Sequence, residues 1–280
     1  LNHVAIVTGA SSGFGLWTTI ELAKHGFTVI ATMRNIEKQK MFQSVTTDQT
    51  ILNRINTWYL DVTDSESIDK FNTKFQTLER VDVLVNNAGI AIGGFAEELS
   101  TSDYQRQFET NVFGAIAVTQ VVLPRMRAQR KGTIIHVSSI SGRIGFPGLS
   151  PYVASKHALE GYSESLRLEM KPYDVQVALV EPGSFQTNIW TSGMEFVKGR
   201  GASPYHHYKQ KLLSRVEAGK KKYGDPQIVA RLICNIARMK KVNKLRYPIG
   251  RGVRGMFLTK QLLPWQWWEK IIIHVIRNGK

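Results

Sequence analysis

Val4-Ala5-Ile6-Val7-Thr8-Gly9-Ala10-Ser11-Ser12-Gly13-Phe14-Gly15 is the stretch that decides the fold. Its apolar start reads as a buried strand, its glycines as a tight turn, and the amphipathic residues after them as a helix. A dinucleotide pyrophosphate needs that order of elements. Glycines let the backbone approach the phosphates, and unpaired amides in the first helical turn meet the negative charge. The spacing is Gly-x-x-x-Gly-x-Gly rather than Gly-x-Gly-x-x-Gly. A glycine-rich turn without a ligand is the competing reading, and the position directly after a first strand argues against it.

Outward from this unit, short apolar runs alternate with amphipathic stretches as far as residue 183. This is the pattern of βα units in a parallel sheet. Candidate strands are Val4–Thr8, Thr28–Thr32, Thr57–Leu60, Val83–Val85, Thr133–Ser138 and Gln176–Val180. They are almost continuously hydrophobic, as strands covered by helices on both faces must be. Helical patterns lie near 14–25, 65–78, 102–129 and 153–171, with Gly26 and Gly132 placed to close helices in left-handed caps. Asp225-Pro226 has the look of an N-cap and first helical residue, and a seventh strand is expected near Leu245–Ile249. The expectation is one α/β domain over residues 1–280, with a helical substrate flap over 184–224 and a basic, aromatic tail over 255–280.

Two residues on a predicted helix carry the chemistry. Tyr152 and Lys156 are four apart and so share a helix face. A free phenol titrates near ~10, too high for easy proton exchange at neutral pH. An ammonium beside it, together with an oxidised nicotinamide, favours the phenolate. Ser139 closes the fifth strand, where its hydroxyl can hold a substrate oxygen. A Tyr/Lys pair alone is a common helix-surface feature. With a cofactor turn and a strand-end serine it reads as a site.

Thr8-Gly9-x-x-x-Gly13-x-Gly15, Asn86-Asn87-Ala88-Gly89, Asn111, Ser139, Tyr152-x-x-x-Lys156 and Pro182-Gly183-x-x-x-Thr187 together resemble the motif set of the classical short-chain dehydrogenase/reductases. The match runs over residues 3–187, and its general look is nearest the hydroxysteroid and retinol dehydrogenase-like branch. The resemblance implies a Rossmann-type, doubly wound, seven-stranded parallel sheet with helices on both faces. It also implies a dimer or tetramer formed through the helices near 102–129 and 153–171. Catalytic roles pass to Asn111 (holding a water in a proton relay), Ser139, Tyr152 and Lys156. Cofactor contacts pass to Gly9, Ser11, Ser12, Gly13, Phe14, Gly15, Asp61, Val62, Asn87, Ala88, Gly89, Tyr152, Lys156, Pro182, Gly183 and Thr187. No metal is implied.

Cofactor choice turns on the end of the second strand. An NAD-preferring site places a carboxylate there for the ribose hydroxyls. Here Met33 stands at that point and Arg34 follows. A guanidinium can bind a 2′-phosphate in bidentate fashion, where a carboxylate would repel it. NADP(H) is therefore expected, with Arg34 as a solvated surface charge the plainer alternative. Ile90, Ile92, Phe95, Ile140, Phe146, Phe185, Ile189 and Trp190 suggest an apolar substrate cleft, although each reads equally well as core. Arg143 reads as surface.

Charge is divided unevenly. Residues 1–190 carry 17 basic and 18 acidic side chains, and residues 191–280 carry 20 and 4. Any electrostatic partner should meet the last third. No nucleic-acid reading motif accompanies the excess. The one cysteine, Cys234, excludes an internal disulfide and reads as a buried spacer without a metal-ligand neighbourhood, and adjacent His206-His207 read as flap surface. A start without a signal-peptide pattern fits a cytoplasmic protein. In the tail, Trp265, Trp268, Ile272, Val275 and Ile276 fall near one helix face, and Trp267, Ile271 and Ile273 elsewhere. That helix either packs on its own domain, joins an oligomer contact, or lies peripherally in a membrane interface. The function expected is NADP(H)-dependent interconversion of a carbonyl and a secondary alcohol, with a small hydrophobic ketone or aldehyde as substrate. The alternatives are an NAD-dependent alcohol dehydrogenase and a non-catalytic NADP-binding sensor.

Overall fold

The computed structural model describes residues 3–187, 189 and 203–278. The strands are β1 (Val4–Val7), β2 (Thr28–Met33), β3 (Ile55–Tyr59), β4 (Val83–Asn86), β5 (Gly132–Val137), β6 (Val175–Pro182) and β7 (Arg246–Ile249). All pair in parallel, in the order β3-β2-β1-β4-β5-β6-β7. Chain order reverses between β1 and β4, which opens a crevice at the carboxyl edge between those two strands.

The helices are α1 (Gly13–Lys24), α2 (Lys40–Val45), α3 (Gln49–Leu52), α4 (Ser65–Phe75), α5 (Thr101–Phe108), α6 (Gly114–Gln129), α7 (Ser150–Met170), α8 (His206–Lys220), α9 (Pro226–Ala237), α10 (Val253–Leu262) and α11 (Trp265–Asn278). Strand periodicity sorts the core into two layers. Ala5, Val7, Val29, Ala31, Val83, Val85, Ile135, Val137, Ala178 and Val180 face α1 and α9. Ile6, Ile30, Leu84, Ile134 and Val177 face α4, α6 and α7. Alternate side chains of one strand thus serve opposite layers, so the runs read as continuously apolar.

Local rules account for the helix ends. Asp64 and Asp225 each accept the backbone N–H two residues on, capping α4 and α9. Ser100 and Asp103 form a reciprocal capping box at α5. Gly26 has the expected left-handed φ of 89°. Gly132 does not: Arg130, at φ 48°, takes the left-handed cap of α6 instead. Gly132 is required by crowding, since a Cβ there would lie 2.5 Å from Met126 Sδ. The pattern over 102–129 holds as helix throughout, except that it widens to a π turn over Glu109–Phe113. Among the described residues no helix is long and apolar enough to cross a membrane.

Candidate active site at the carboxyl edge of the sheet

The loops leaving the strand ends converge on a cleft of about 430 Å³. Gly9, Ser11, Ser12, Gly13 and Phe14 line it from the first turn, and Arg34, Asp61 and Val62 from the ends of β2 and β3. Asn87, Ala88 and Gly89 enter after β4, Ser139 after β5, Tyr152 and Lys156 from α7, and Pro182, Gly183 and Thr187 after β6. Gly15 and Asn111 stand behind this wall rather than in it.

Gly15 is needed there for close packing. A Cβ would lie 2.3 Å from the Gly9 carbonyl oxygen and 2.5 Å from Asn87 Nδ2. That Nδ2 donates to the carbonyls of Thr8 (2.9 Å) and Gly9 (3.2 Å), while the Thr8 hydroxyl accepts the N–H groups of Asn87 (2.9 Å) and Ala88 (3.0 Å). Thr8 therefore pins the ends of β1 and β4 together at the crevice, a part its place in the motif did not disclose. Ser12, the N-cap of α1, makes no side-chain cap bond, and no acidic residue lies in the first turn. The leading amides of α1 are left for an anion.

At the far end, Met33 is buried and Arg34 is exposed, with its guanidinium 3.9 Å from the Asp61 carboxylate. Asn35 accepts the Glu37 N–H and starts a short 3₁₀ turn over Ile36–Gln39. That turn swings Lys38 back onto the cleft. Lys38 was not foreseen, although its spacing of four from Arg34 is the signal that would have found it.

Ser139, Tyr152 and Lys156 are all buried. The Ser139 hydroxyl is hydrogen-bonded to the Tyr152 phenol. Lys156 Nζ donates to the Val137 carbonyl at 2.8 Å and lies 5.7 Å from the centre of the Tyr152 ring. Burial pushes the phenol up to about 12, with the Ser139 hydrogen bond the opposing influence. Burial also brings the Lys156 ammonium down to about 8, with the Glu160 carboxylate opposing it. Desolvation thus outweighs the stabilisation of a phenolate that the Tyr/Lys spacing alone suggests. Asn111 sits in the π turn with both ends of its amide engaged: Oδ1 accepts the Ile90 N–H (2.9 Å), and Nδ2 donates to the Ile90 carbonyl (3.0 Å) and to Ser155 Oγ (3.1 Å).

Behind Lys156 lies a charged cluster that no local motif announces. Arg246 Nε reaches Glu160 at 2.9 Å and Glu181 at 3.4 Å, and Arg143 lies 3.8 Å from Glu181. Burial, and then the neighbouring Glu160, push the Glu181 carboxyl up to about 7. Arg143 is thereby half-buried rather than plain surface, with its guanidinium 4.2 Å above the Phe257 ring. His136, fully buried on β5 near Lys156, is pushed down to about 3 by desolvation and stays neutral.

Ile90, Phe185 and Ile189 line the cleft. Ile92 and Phe95 are buried beside it, with Phe95 stacked on Tyr205 (4.2 Å) and against Tyr208 (5.4 Å) of the flap. Ile140 and Phe146 pack instead against α10 and α11. Trp190 lies outside the described residues. His206 and His207 are exposed on α8. Cys234 is buried, with its thiol pushed up to about 12, yet it is less isolated than its sequence suggests. Glu21 and His25 bring their ligand atoms within 4.8 Å of one another and of Cys234 Sγ. A larger groove of about 980 Å³ lies at the opposite, amino edge of the sheet, between Arg130, Lys131, Lys171, Lys240 and Lys241. It shares no lining residue with the cleft.

The family model described as "short chain dehydrogenase" matches residues 3–196. An uncharacterized oxidoreductase of Bacillus subtilis, YusZ, is 48% identical over 271 residues, 96% of each chain. A 3-ketodihydrosphingosine reductase of Bacteroides thetaiotaomicron is 34% identical over 265 residues, covering 94% of this chain and 93% of its own. Among solved structures, ElxO with NADP bound superposes with a TM-score of 0.75 at 26% identity, over 91% of this chain and all of its own.

Proposed function

This chain belongs to the short-chain dehydrogenase/reductase family, and on that premise we propose that it reduces a hydrophobic ketone or aldehyde with NADPH. The coarse activity is oxidoreduction between a carbonyl and an alcohol with NADP(H) as cofactor. The fit to that cofactor rests on the Gly9–Gly13 turn that lines the cleft, the open amides of α1, and the paired cations Arg34 and Lys38 at the ribose end. When bound, the cofactor supplies the hydride.

The observation that carries the reading is the burial of one phenol, one hydroxyl and one ammonium together beside that cradle. Tyr152 is the proposed proton donor, giving its phenolic proton to the oxygen of a carbonyl as that oxygen becomes an alkoxide. A phenol held near 12 keeps its proton at neutral pH and so has it to give. Ser139 donates to the same substrate oxygen and fixes its distance from the phenol. Lys156 holds its positive charge against the developing phenolate while the Val137 carbonyl fixes its Nζ. Asn111 keeps the Ile90 backbone in place, so in this proposal it is a positioning residue, and a water would be held by the π turn rather than by its amide N–H groups, both of which are already used.

A hydrophobic substrate is supported by the Ile90, Phe185 and Ile189 lining and by the aromatic stack of Phe95 and Tyr205 under the flap. The similarity over nearly the full chain to a 3-ketodihydrosphingosine reductase points the same way. Assembly through α6 and α7 belongs to the same proposal, with the exposed Phe113 and Leu168 as the side chains it would cover.

The test is NADPH oxidation followed at 25 °C over a panel of ketones and aldehydes of increasing chain length, with Tyr152→Phe alongside. The expected result is turnover that rises with apolar chain length, and a fall of about 10²–10⁴-fold in the variant. NADPH affinity should be unchanged by the substitution. Turnover by Tyr152→Phe at the parent rate would overturn the assignment of the phenol.

A further inference from the structure

The last two helices use only part of their apolar surface to hold the domain together. Val253 and Phe257 of α10 and Trp268 of α11 are buried with Ile144, and Ile140, Phe146 and Ile272 pack around them. Outside that seam, Leu258, Leu262, Trp265, Trp267 and Ile271 are 40–72% exposed. Leu258 and Leu262 are one turn apart on α10, Trp267 and Ile271 one turn apart on α11, and Trp265 opens α11 just after the bend at Leu263-Pro264. Single exposed apolar residues are ordinary, but five large ones on two consecutive helices, with Trp267 and Ile271 on one side of α11 and Trp265 at its first turn, are not.

Its surroundings are cationic. Arg251, Arg254 and Lys270 are exposed on and beside the two helices, against one exposed acid, Glu269, and Lys270 Nζ lies 5.4 Å above the Trp267 ring. Helix α8, which touches α11, carries Lys209, Lys211, Arg215 and Lys220 against one acid, Glu217.

We infer that the exposed sides of α10 and α11 dock on the surface of an anionic lipid bilayer. The tryptophans sit at headgroup depth, the leucines and Ile271 just below them, and the arginines and lysines on the lipid phosphates. Helix α11 has 14 residues, short of the roughly 20 needed to span, so it lies in the interface plane. A second copy of this chain is a poorer occupant. A two-fold contact would set the cationic rim against itself, whereas lipid phosphates neutralise it. The buried side of the same helices packs on Ile140, the residue after Ser139. The inference does not depend on which carbonyl is reduced.

The test is co-sedimentation of the full chain with phosphatidylcholine vesicles, with and without phosphatidylglycerol, across a salt series. Trp265→Ser/Trp267→Ser and Arg254→Glu/Lys270→Glu are run in parallel. Binding should require phosphatidylglycerol, weaken with salt, and fall by about tenfold or more in each double variant. Tryptophan emission should shift to the blue on the vesicles and be quenched by lipids brominated near the headgroup. Unchanged melting temperatures would show that the variants fold. Failure of the parent chain to sediment with phosphatidylglycerol vesicles at low salt would overturn the inference. So would equal binding by the variants, or self-association in solution that the tryptophan substitutions abolish.

Discussion

Lys156 Nζ donates to the carbonyl oxygen of Val137 at 2.8 Å, which ties α7 to the last residue of β5 two positions before Ser139. One hydrogen bond thereby sets the spacing between the two elements that carry the hydroxyl and the phenol. Both ends are buried, so neither has water to fall back on. The ammonium is fixed, desolvated and close to its own titration at about 8, a value that burial sets and Glu160 keeps from falling further.

Activity is therefore expected to decline as pH rises past about 8, where Lys156 loses its charge and the phenol loses its cationic neighbour. Lys156→Met should remove that alkaline limb and lower kcat by about 10²-fold or more. It should also cost about 1–3 kcal/mol of stability, because the Val137 carbonyl is left unpaired. A pH–kcat series and denaturant unfolding read the two effects separately. An alkaline limb that persists in Lys156→Met would assign it to another group.

Gly15→Ala and Gly161→Ala make a matched pair. At Gly15 the new methyl meets the Gly9 backbone at 2.3 Å, whereas at Gly161, within α7, nothing lies within 4 Å. The first should destabilise by about 1–3 kcal/mol and abolish the rise in melting temperature on adding NADPH. The second should be neutral or stabilise by up to about 1 kcal/mol. Thermal melts with and without NADPH decide it, and an intact NADPH shift in Gly15→Ala would remove the phosphates from this turn.

Arg34→Ala should weaken NADPH binding by about 10–100-fold, the worth of a charged hydrogen bond, and barely change NADH binding. Lys38→Ala should act in the same sense but less, since its ammonium is a single point of contact. Fluorescence titration with both nucleotides reads the ratio. Equal losses for NADPH and NADH would mean that Arg34 acts through its ion pair with Asp61 rather than on a 2′-phosphate.

What was legible in the sequence was local. The first turn, the Tyr152/Lys156 pair and the strand-end Ser139 each sit within one element or one loop, so spacing alone put them on the right side of it. The parallel order places every strand's carboxyl end on one edge, and the motifs converge without further specification. Groups meeting from distant positions were not legible. Arg246 on β7, Glu160 on α7 and Glu181 on β6 touch because three elements stack, and no periodicity links residues 160, 181 and 246. Asn111 shows a third case. Its presence was plain, but only the fold shows that both its N–H donors are already spent, on the Ile90 carbonyl and Ser155. The tail was half legible: the seam through Trp268 and Ile272 follows its helical face, while Trp265 on the same face is exposed, and the side chains of Val275 and Ile276 lie outside the described residues.

That hidden cluster gives the last prediction. The Glu181 side chain is fully buried, and its carboxyl is pushed from 4.5 up to about 7. Below about pH 4.5 it is protonated in both the folded and the unfolded chain, and its full contribution to stability is present. Between about 4.5 and 7 the unfolded chain releases the proton while the folded chain keeps it, so stability falls as pH rises and then levels off above 7. Arg143 and Arg246 limit the loss, which should come to roughly 1–3 kcal/mol across that window. Glu181→Gln, which keeps the shape and cannot ionise, should flatten this dependence, so that its unfolding free energy exceeds that of the parent at about pH 8 by more than it does at about pH 5. Urea unfolding at the two pH values measures the difference. Parallel pH dependence in the two proteins would mean that Glu181 is ionised throughout, held by its two arginines.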